Sequence, residues 1–408
     1  MTLARRLGTG DAVVIGLGSM IGAGIFVAPA PAARAAGSGL LLALAIAALV
    51  AYCNAQSSAR LAARYPQSGG TYVYGRERLG AFWGYLAGWA FVVGKTASCA
   101  AMALAVGTYV WPSHAGSVAV IAVGGLTAVN YRGVQRSAEL TRVIVAVVLL
   151  ILGLIVVTAL TAGSPSASRL ALSSAGTSAG GVLEAAGLLF FAFAGYARIA
   201  TLGEEVRDPE RTIRRAVPIA LGLTLVVYAI VIGTCLALLG PAGVAADPAP
   251  LTSAVRAADA DWLVPIVRVG AGVGACGALL ALILGVSRTT LAMARDRYLP
   301  APLAAVHPRF QVPHRAELAV GLVVAVLAAG IDLRGAIGFS SFGVLVYYAI
   351  ANACAWTLGP GPARVVPALG FLGCLCLAFT LPTGSVISGA AVLSIGVALY
   401  GARSVVRT

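Results

Sequence analysis

Ile15-Gly-Leu-Gly-Ser-Met-Ile-Gly-Ala-Gly-Ile-Phe26 lies in the middle of the first long apolar run of a 408-residue chain, over about residues 11–33. Four glycines fall at Gly16, Gly18, Gly22 and Gly24. Each costs a helix interior about 1 kcal/mol relative to alanine. At membrane depth, an interrupted backbone is stable only where it is buried in protein or lines a cavity. A helix broken at this place is a feature of transporters, which bind substrate with the backbone groups set free. The Gly18–Gly22 spacing also suits plain helix packing, so the rest of the chain has to decide. A dinucleotide loop is excluded, because the spacing is GxGxxxG and no strand precedes it.

Working outward, 60% of the residues are hydrophobic and 10% are charged. Repeated apolar runs of about 20 residues make this a polytopic membrane protein, expected to be all-α. The formal charge of +14 comes almost wholly from arginines between or near the ends of these runs, so it does not indicate nucleic-acid binding. The seven cysteines fall inside apolar runs without metal-ligand spacing and read as small buried hydrophobes. No cleaved leader is expected at the N-terminus. The first run exceeds a usual leader core, and its glycines would serve nothing in a discarded peptide.

Twelve spans are expected, over about 11–33, 39–60, 80–109, 116–131, 138–162, 181–203, 215–240, 262–295, 315–333, 335–358, 364–381 and 384–402. With the N-terminus in the cytoplasm, twenty-one arginines fall inside and five outside (Arg34, Arg169, Arg256, Arg268 and Arg334). That asymmetry fits the positive-inside rule and would collapse if one span were miscounted. It puts both termini in the cytoplasm and the chain in the cell membrane.

A second interruption lies in the sixth run, Leu188-Leu-Phe-Phe-Ala-Phe-Ala-Gly-Tyr-Ala197, at Gly195. Spans one and six are five apart. That is the offset of two inverted repeats, here about 11–162 and 181–358, with about 364–402 appended to form one transporter domain over 1–408. Interrupted segments at matching positions of two halves point to a transport site. Packing alone does not explain the match.

Four segments now carry a resemblance. Gly18-Ser-Met-Ile-Gly-Ala-Gly-Ile-Phe26 resembles the first-helix motif of amino-acid permeases of the amino acid–polyamine–organocation (APC) superfamily. Pro66-Gln-Ser-Gly-Gly-Thr-Tyr72 resembles their loop between helices 2 and 3. Phe190-Phe191 through Glu204-Glu-Val-Arg-Asp-Pro209 and Arg211 resembles their sixth helix and the loop after it. Ser287-Arg-Thr-Thr-Leu-Ala-Met-Ala-Arg-Asp296 with Leu299-Pro300 resembles the end of their eighth helix.

The resemblance implies a 5+5 inverted repeat with discontinuous helices 1 and 6, unwound around Gly18, Ser19, Ile21 and Gly22 and at Gly195. It implies that the backbone N–H groups of Ala23 and Gly24 receive the substrate carboxylate, as a helix N-terminus favours an anion. It implies that the carbonyls of Met20, Phe191 and Ala194 receive the ammonium, and that the Phe191 ring closes over the substrate. Glu184, Leu282, Ser340, Ser341 and Tyr347 complete the candidate set.

Lys95, the one lysine, lies mid-span in Trp89-Ala-Phe-Val-Val-Gly-Lys-Thr-Ala-Ser-Cys99. An ionisable group at that depth costs at least about 2.5–3.5 kcal/mol and is a functional candidate by default. Snorkelling to an interface is the competing reading, and the long apolar stretches on both sides oppose it. Lys95 is expected to exchange a proton during the cycle or to hold a charge against the substrate carboxylate. Arg198 is expected to pair with Glu204 or Glu205, and Arg207 to Arg215 to form a cytoplasmic amphipathic turn or short helix. His114, His307 and His314 are expected in loops, which leaves no histidine relay.

The departures from the family pattern narrow the function. Several members keep a lysine in helix 5 in place of a sodium ion, and the matching position here is Val148. No Ser or Thr lies between Gly270 and Val286 to ligate sodium. No sodium site is expected, and the driving ion, if any, is a proton. Members that carry cationic substrates often place an acid after the residues matching Gly195-Tyr196, where this chain has Ala197.

The expectation is an amino-acid transporter, for a neutral or acidic substrate, working by proton coupling or exchange without cofactor or metal. A cationic amino acid or polyamine carrier of the same fold is the alternative, and a non-transporting sensor or membrane enzyme the reading from another class. No HExxH, Ser/His/Asp set, paired intramembrane aspartates or CxxC supports an enzyme, and no polar stripe supports a channel.

Overall fold

Helices make up the architecture among the residues described by the structure, a computed structural model covering 7–65, 69–133, 138–173, 177–200 and 206–407. In chain order they are α1 (Thr9–Met20), α2 (Gly24–Val27), α3 (Pro29–Ala36), α4 (Leu40–Arg64), α5 (Thr71–Leu79), α6 (Ala81–Val110), α7 (Ala115–Tyr131) and α8 (Ala138–Thr161). Then follow α9 (Ala179–Phe193), α10 (Ala197–Ala200), α11 (Pro209–Ala246), α12 (Pro250–Ala257), α13 (Val264–Arg295), α14 (His314–Gly330), α15 (Leu333–Trp356), α16 (Val365–Thr380) and α17 (Thr383–Arg407).

Eleven helical stretches among the described residues are long and apolar enough to cross a bilayer. With the seventeen-residue α14, which lies at the short end of the spanning range, the spans agree with the expected twelve. Leu49, Leu150, Leu322, Phe379 and Ile387 are each more than half exposed on the outer helix faces. In water such a belt would aggregate, whereas lipid solvates it.

The first span ends at Ala36, close to its expected limit, where Gly37 (φ 53) turns the chain into α4. One segment differs from the sequence expectation. The Arg207–Arg215 segment is not a separate amphipathic helix. From Pro209 onward it forms the first turns of α11, because a proline at the first helical position lacks only an N–H that would be unpaired there anyway.

The first span is broken. Ile21 N–H still bonds to Leu17 C=O at 2.7 Å, the chain unwinds through Ala23, and α2 begins at Gly24. The sixth is broken by a single 3₁₀ turn, Ala194–Tyr196, between α9 and α10. The two breaks touch. A methyl group added at Gly195 would overlap the Ser19 carbonyl and come within 2.8 Å of Met20 N. One added at Gly24 would lie 2.6 Å from the Ala192 Cα. Tyr228 of α11 binds both segments, its hydroxyl 2.6 Å from Met20 O and 3.1 Å from Ala192 O. Two carbonyls at the breaks, of Met20 and Ala192, are thereby satisfied within the protein, as the bilayer interior demands.

Gly195→Val is expected to destabilise the detergent-solubilised protein by about 1–3 kcal/mol, the usual cost of overpacking. Gly153→Ala in α8, where an added methyl meets nothing within 4 Å, is expected to be neutral or stabilising. Thermal unfolding of both variants beside wild type checks the pair.

Candidate functional site

Lys95 stands near the middle of the thirty-residue α6, with its side chain only 6% exposed. Gly94, just before it, brings α6 against α15: a methyl at Gly343 would lie 2.9 Å from the Gly94 Cα. From this position Lys95 reaches across to the sixth-span break, and its Nζ donates to Ala194 O at 3.2 Å.

Lys95 and Ala194 line a cavity of about 180 Å³. It extends from the middle of α6 toward Arg198, Arg288 and Thr289, on the side of the bundle where α1 begins. Ser19, Phe191, Gly195, Leu282 and Tyr347 line it as well, so seven of the sequence candidates meet in one place. On the opposite side the bundle is closed. There Tyr109 OH donates to Phe26 O at 2.7 Å, the two rings meet edge-on at 5.6 Å, and Leu251 and Val255 of α12 are fully buried.

The remaining candidates lie elsewhere. Gly18, Met20, Ile21, Gly22, Ala23 and Gly24 are buried but are not part of the cavity lining. Gly22 is backed by Ala278 and Gly274 of α13, and Gly24 by Ala192. Met20 O is held by Tyr228, and Ala194 O by Lys95, with Tyr348 OH at 3.5 Å. Ser340 and Ser341 are buried outside the lining. Ser340 makes a short hydroxyl–hydroxyl bond to Ser98, which does line the cavity. Glu184 is tied at 2.6 Å to Arg334 at the far end of the bundle, away from the cavity. Glu204 and Glu205, expected to pair with Arg198, lie outside the described residues.

Sequence reasoning missed several groups. Arg288 and Thr289 belong to the Ser287–Asp296 motif, which could have pointed to them. Tyr72 lines the cavity and donates a short hydrogen bond to Asp296, which Arg76 contacts at 3.1 Å. Two of the motifs quoted for their resemblance thus meet at one carboxylate. Glu317 of α14 is fully buried, and neither carboxylate oxygen has a hydrogen-bond partner among the described residues. His314 opens α14 rather than lying in a loop, because Pro313 precedes it as the cap.

Val148, at the position matched to the helix-5 lysine of other permeases, is 2% exposed. It packs beside Gly274, next to the first break. Ala197 does line the cavity, so the position at which cationic-substrate members carry an acid faces the site and is uncharged here. Among the described residues, no cluster of histidine, cysteine, aspartate or glutamate could hold a metal ion.

A family model described as amino acid permease matches residues 7–402. An uncharacterized transporter of Mycobacterium tuberculosis is 69% identical over 407 residues, 99% of this chain and 92% of the relative. A branched-chain amino acid permease of Bacillus subtilis is 25% identical, covering 98% of this chain and 93% of that protein. Human cationic amino acid transporter 4 is 29% identical, over 90% of this chain and 63% of that protein. With its helices broken at the first and sixth spans, the chain belongs to the amino acid permease family of the APC superfamily, as a multi-pass membrane transporter and not an enzyme.

Proposed function

We propose that this protein is a secondary transporter of a neutral or acidic amino acid, working by alternating access in the cell membrane with both termini cytoplasmic. The observation that carries the reading is the Lys95 amine on Ala194 O, inside a cavity that reaches one side of the bundle and is closed toward the other. In this reading 11–162 and 181–358 are inverted repeats and 364–402 is an addition. The first two spans, the broken sixth and α11 rock against α6, α7, α13 and α14.

The two breaks supply the contacts for the amino-acid backbone. Amides of Ala23 and Gly24 take the carboxylate, and carbonyls of Met20, Phe191 and Ala194 take the ammonium. In the conformation seen, Tyr228 occupies the Met20 carbonyl and Lys95 the Ala194 carbonyl. Substrate binding would displace both. An ammonium arriving at the carbonyl that Lys95 holds disfavours the protonated form of that amine. Loading of substrate and release of a proton from Lys95 thereby become linked steps. The apolar setting of Val148 argues against sodium as the driving ion.

Uptake of radiolabelled amino acids into proteoliposomes, with and without an imposed pH gradient, tests this reading. Wild type is expected to concentrate a neutral or acidic amino acid only with the gradient. Lys95→Ala is expected to bind the same substrate but to reach only the level seen without a gradient. Normal accumulation by the variant would make Lys95 a structural lysine.

A second prediction concerns access. In a Cys376→Ser background, which removes the exposed native cysteine, Thr289→Cys is expected to react with an impermeant thiol reagent from the side that bears the termini. Saturating substrate is expected to slow that reaction. Labelling from the opposite side only would reverse the assigned direction of the cavity.

A further inference from the structure

Two charged side chains are buried among the described residues, Lys95 and Glu317. Lys95 belongs to the cavity, whereas Glu317 has so far no role. It sits in the first turn of α14 with neither carboxylate oxygen hydrogen-bonded. Helices α6, α7 and α13 pack against α14. From α13 comes Arg288, an exposed residue of the cavity lining, whose charge acts on Glu317 although the two form no ion pair among the described residues. From α7 come neutral groups. The Thr127 hydroxyl, also without a partner, stands against Gly321, and Tyr131 meets His314 edge-on at 6.1 Å. The one charged residue of α6 is Lys95, whose amine is held on Ala194 O. On α14 itself, His314 and Arg315 precede Glu317.

An ionised carboxylate without water or a counter-ion is so unfavourable that such a group neutralises instead. Resting on the reading of this protein as a proton-linked transporter, we propose that Glu317 is a second proton-binding site, un-ionised in the conformation seen and exchanging its proton with the side that bears the termini. In one state Glu317 is a neutral acid and Arg288 stays at the cavity wall. In the other the carboxyl O–H bond breaks, its electron pair stays on the oxygen, and the proton passes to water at the cavity mouth. The carboxylate left behind is offset by the Arg288 guanidinium, which turns from the cavity to pair with it. Loss of this proton therefore moves a side chain of the cavity lining. By linkage, a ligand held beside Arg288 affects proton binding at Glu317 as strongly as the reverse.

Infrared difference spectroscopy of the full-length protein in lipid, titrated with pH, tests the site. The C=O stretch of an un-ionised carboxylic acid is distinct from that of a carboxylate and shifts in deuterated water. Wild type is expected to show this band at neutral pH, and Glu317→Gln to lose it. Arg288→Gln keeps the acid and removes its counter-charge, so the band is expected to persist to higher pH than in wild type. That variant keeps the site testable if Glu317→Gln fails to fold. In proteoliposomes of determined orientation, exchange of radiolabelled L-leucine or L-glutamate by Lys95→Ala is expected to keep a dependence on pH at the face that bears the termini. Lys95→Ala combined with Glu317→Gln is expected to lose it. Absence of the band in wild type at neutral pH, or its survival in Glu317→Gln, overturns the site and leaves transport through Lys95 intact. An unchanged titration in Arg288→Gln removes the counter-charge and with it the link to the cavity. If the double variant keeps its pH dependence, Glu317 is a buried acid without part in transport and the proposal falls. If neither amino acid moves in any variant, including wild type, the function proposed above falls and the transport role of this site with it.

Discussion

The structure depends on backbone meeting backbone where two helices are broken. An unwound segment within a bilayer has to find its hydrogen-bond partners in protein. Here the first and sixth spans are broken at the same depth and set against each other, Gly195 on the backbone of Ser19 and Met20, Gly24 on Ala192. No side chain larger than hydrogen fits at Gly195 or Gly24 while the two segments stay in contact. Tyr228 then fixes the pair from the side, one hydroxyl between a carbonyl of each break. On the far face Gly22 lies against Gly274 and Ala278, which brings α13 in equally close. The packing of three spans thus follows from small residues at the unwound stretches.

Charge enters this arrangement at one buried place. Lys95 projects from α6 and crosses to the broken sixth span, so a single hydrogen bond joins a helix that packs closely on α15 to a segment without regular helical bonding. A helix pair in backbone contact has little freedom, whereas a 3₁₀ turn has few bonds to lose. Any change at the amine is therefore felt first at the break. At the cavity's other end, Tyr72 and Arg76 of α5 converge on Asp296 just past the end of α13. The walls of the cavity are tied at both ends by polar contacts, and its middle is apolar apart from a few hydroxyls.

Much of this was legible in the sequence because it is written in glycines and charges. The four glycines of the first run and Gly195 of the sixth marked both breaks, and the lone lysine marked the cavity. The number of spans followed from hydropathy and arginine placement together. What was not legible depends on side chains meeting across the fold. Tyr228 reads as one aromatic among many until its hydroxyl is found between Met20 and Ala192. Glu317 sits near a span end in sequence, and only the packing of its neighbours removes it from water. The expected assembly of backbone groups from Met20 to Gly24 was read as facing substrate. In this conformation those groups are enclosed by Ala192, Gly274 and Ala278, and the cavity touches Ser19 instead. Sequence spacing tells where a helix is interrupted, not which side of the interruption is open.

The placement of the one lysine can be set against what surrounds the other break. Next to the first break, where several permeases hold a cation, Val148 and Gly274 make an apolar contact. Next to the second, Lys95 reaches Ala194 O. On the reading proposed here, the cation that steadies the unwound backbone belongs to the sixth span instead of the first. A cation beside the first break would not be displaced by an ammonium bound at the sixth. Lys95 holds the very carbonyl that such an ammonium needs, so binding and coupling contend for the same atom. That competition gives the substrate a differential effect on the tether between α6 and the sixth span, which a ligand needs if it is to shift a conformational equilibrium at all.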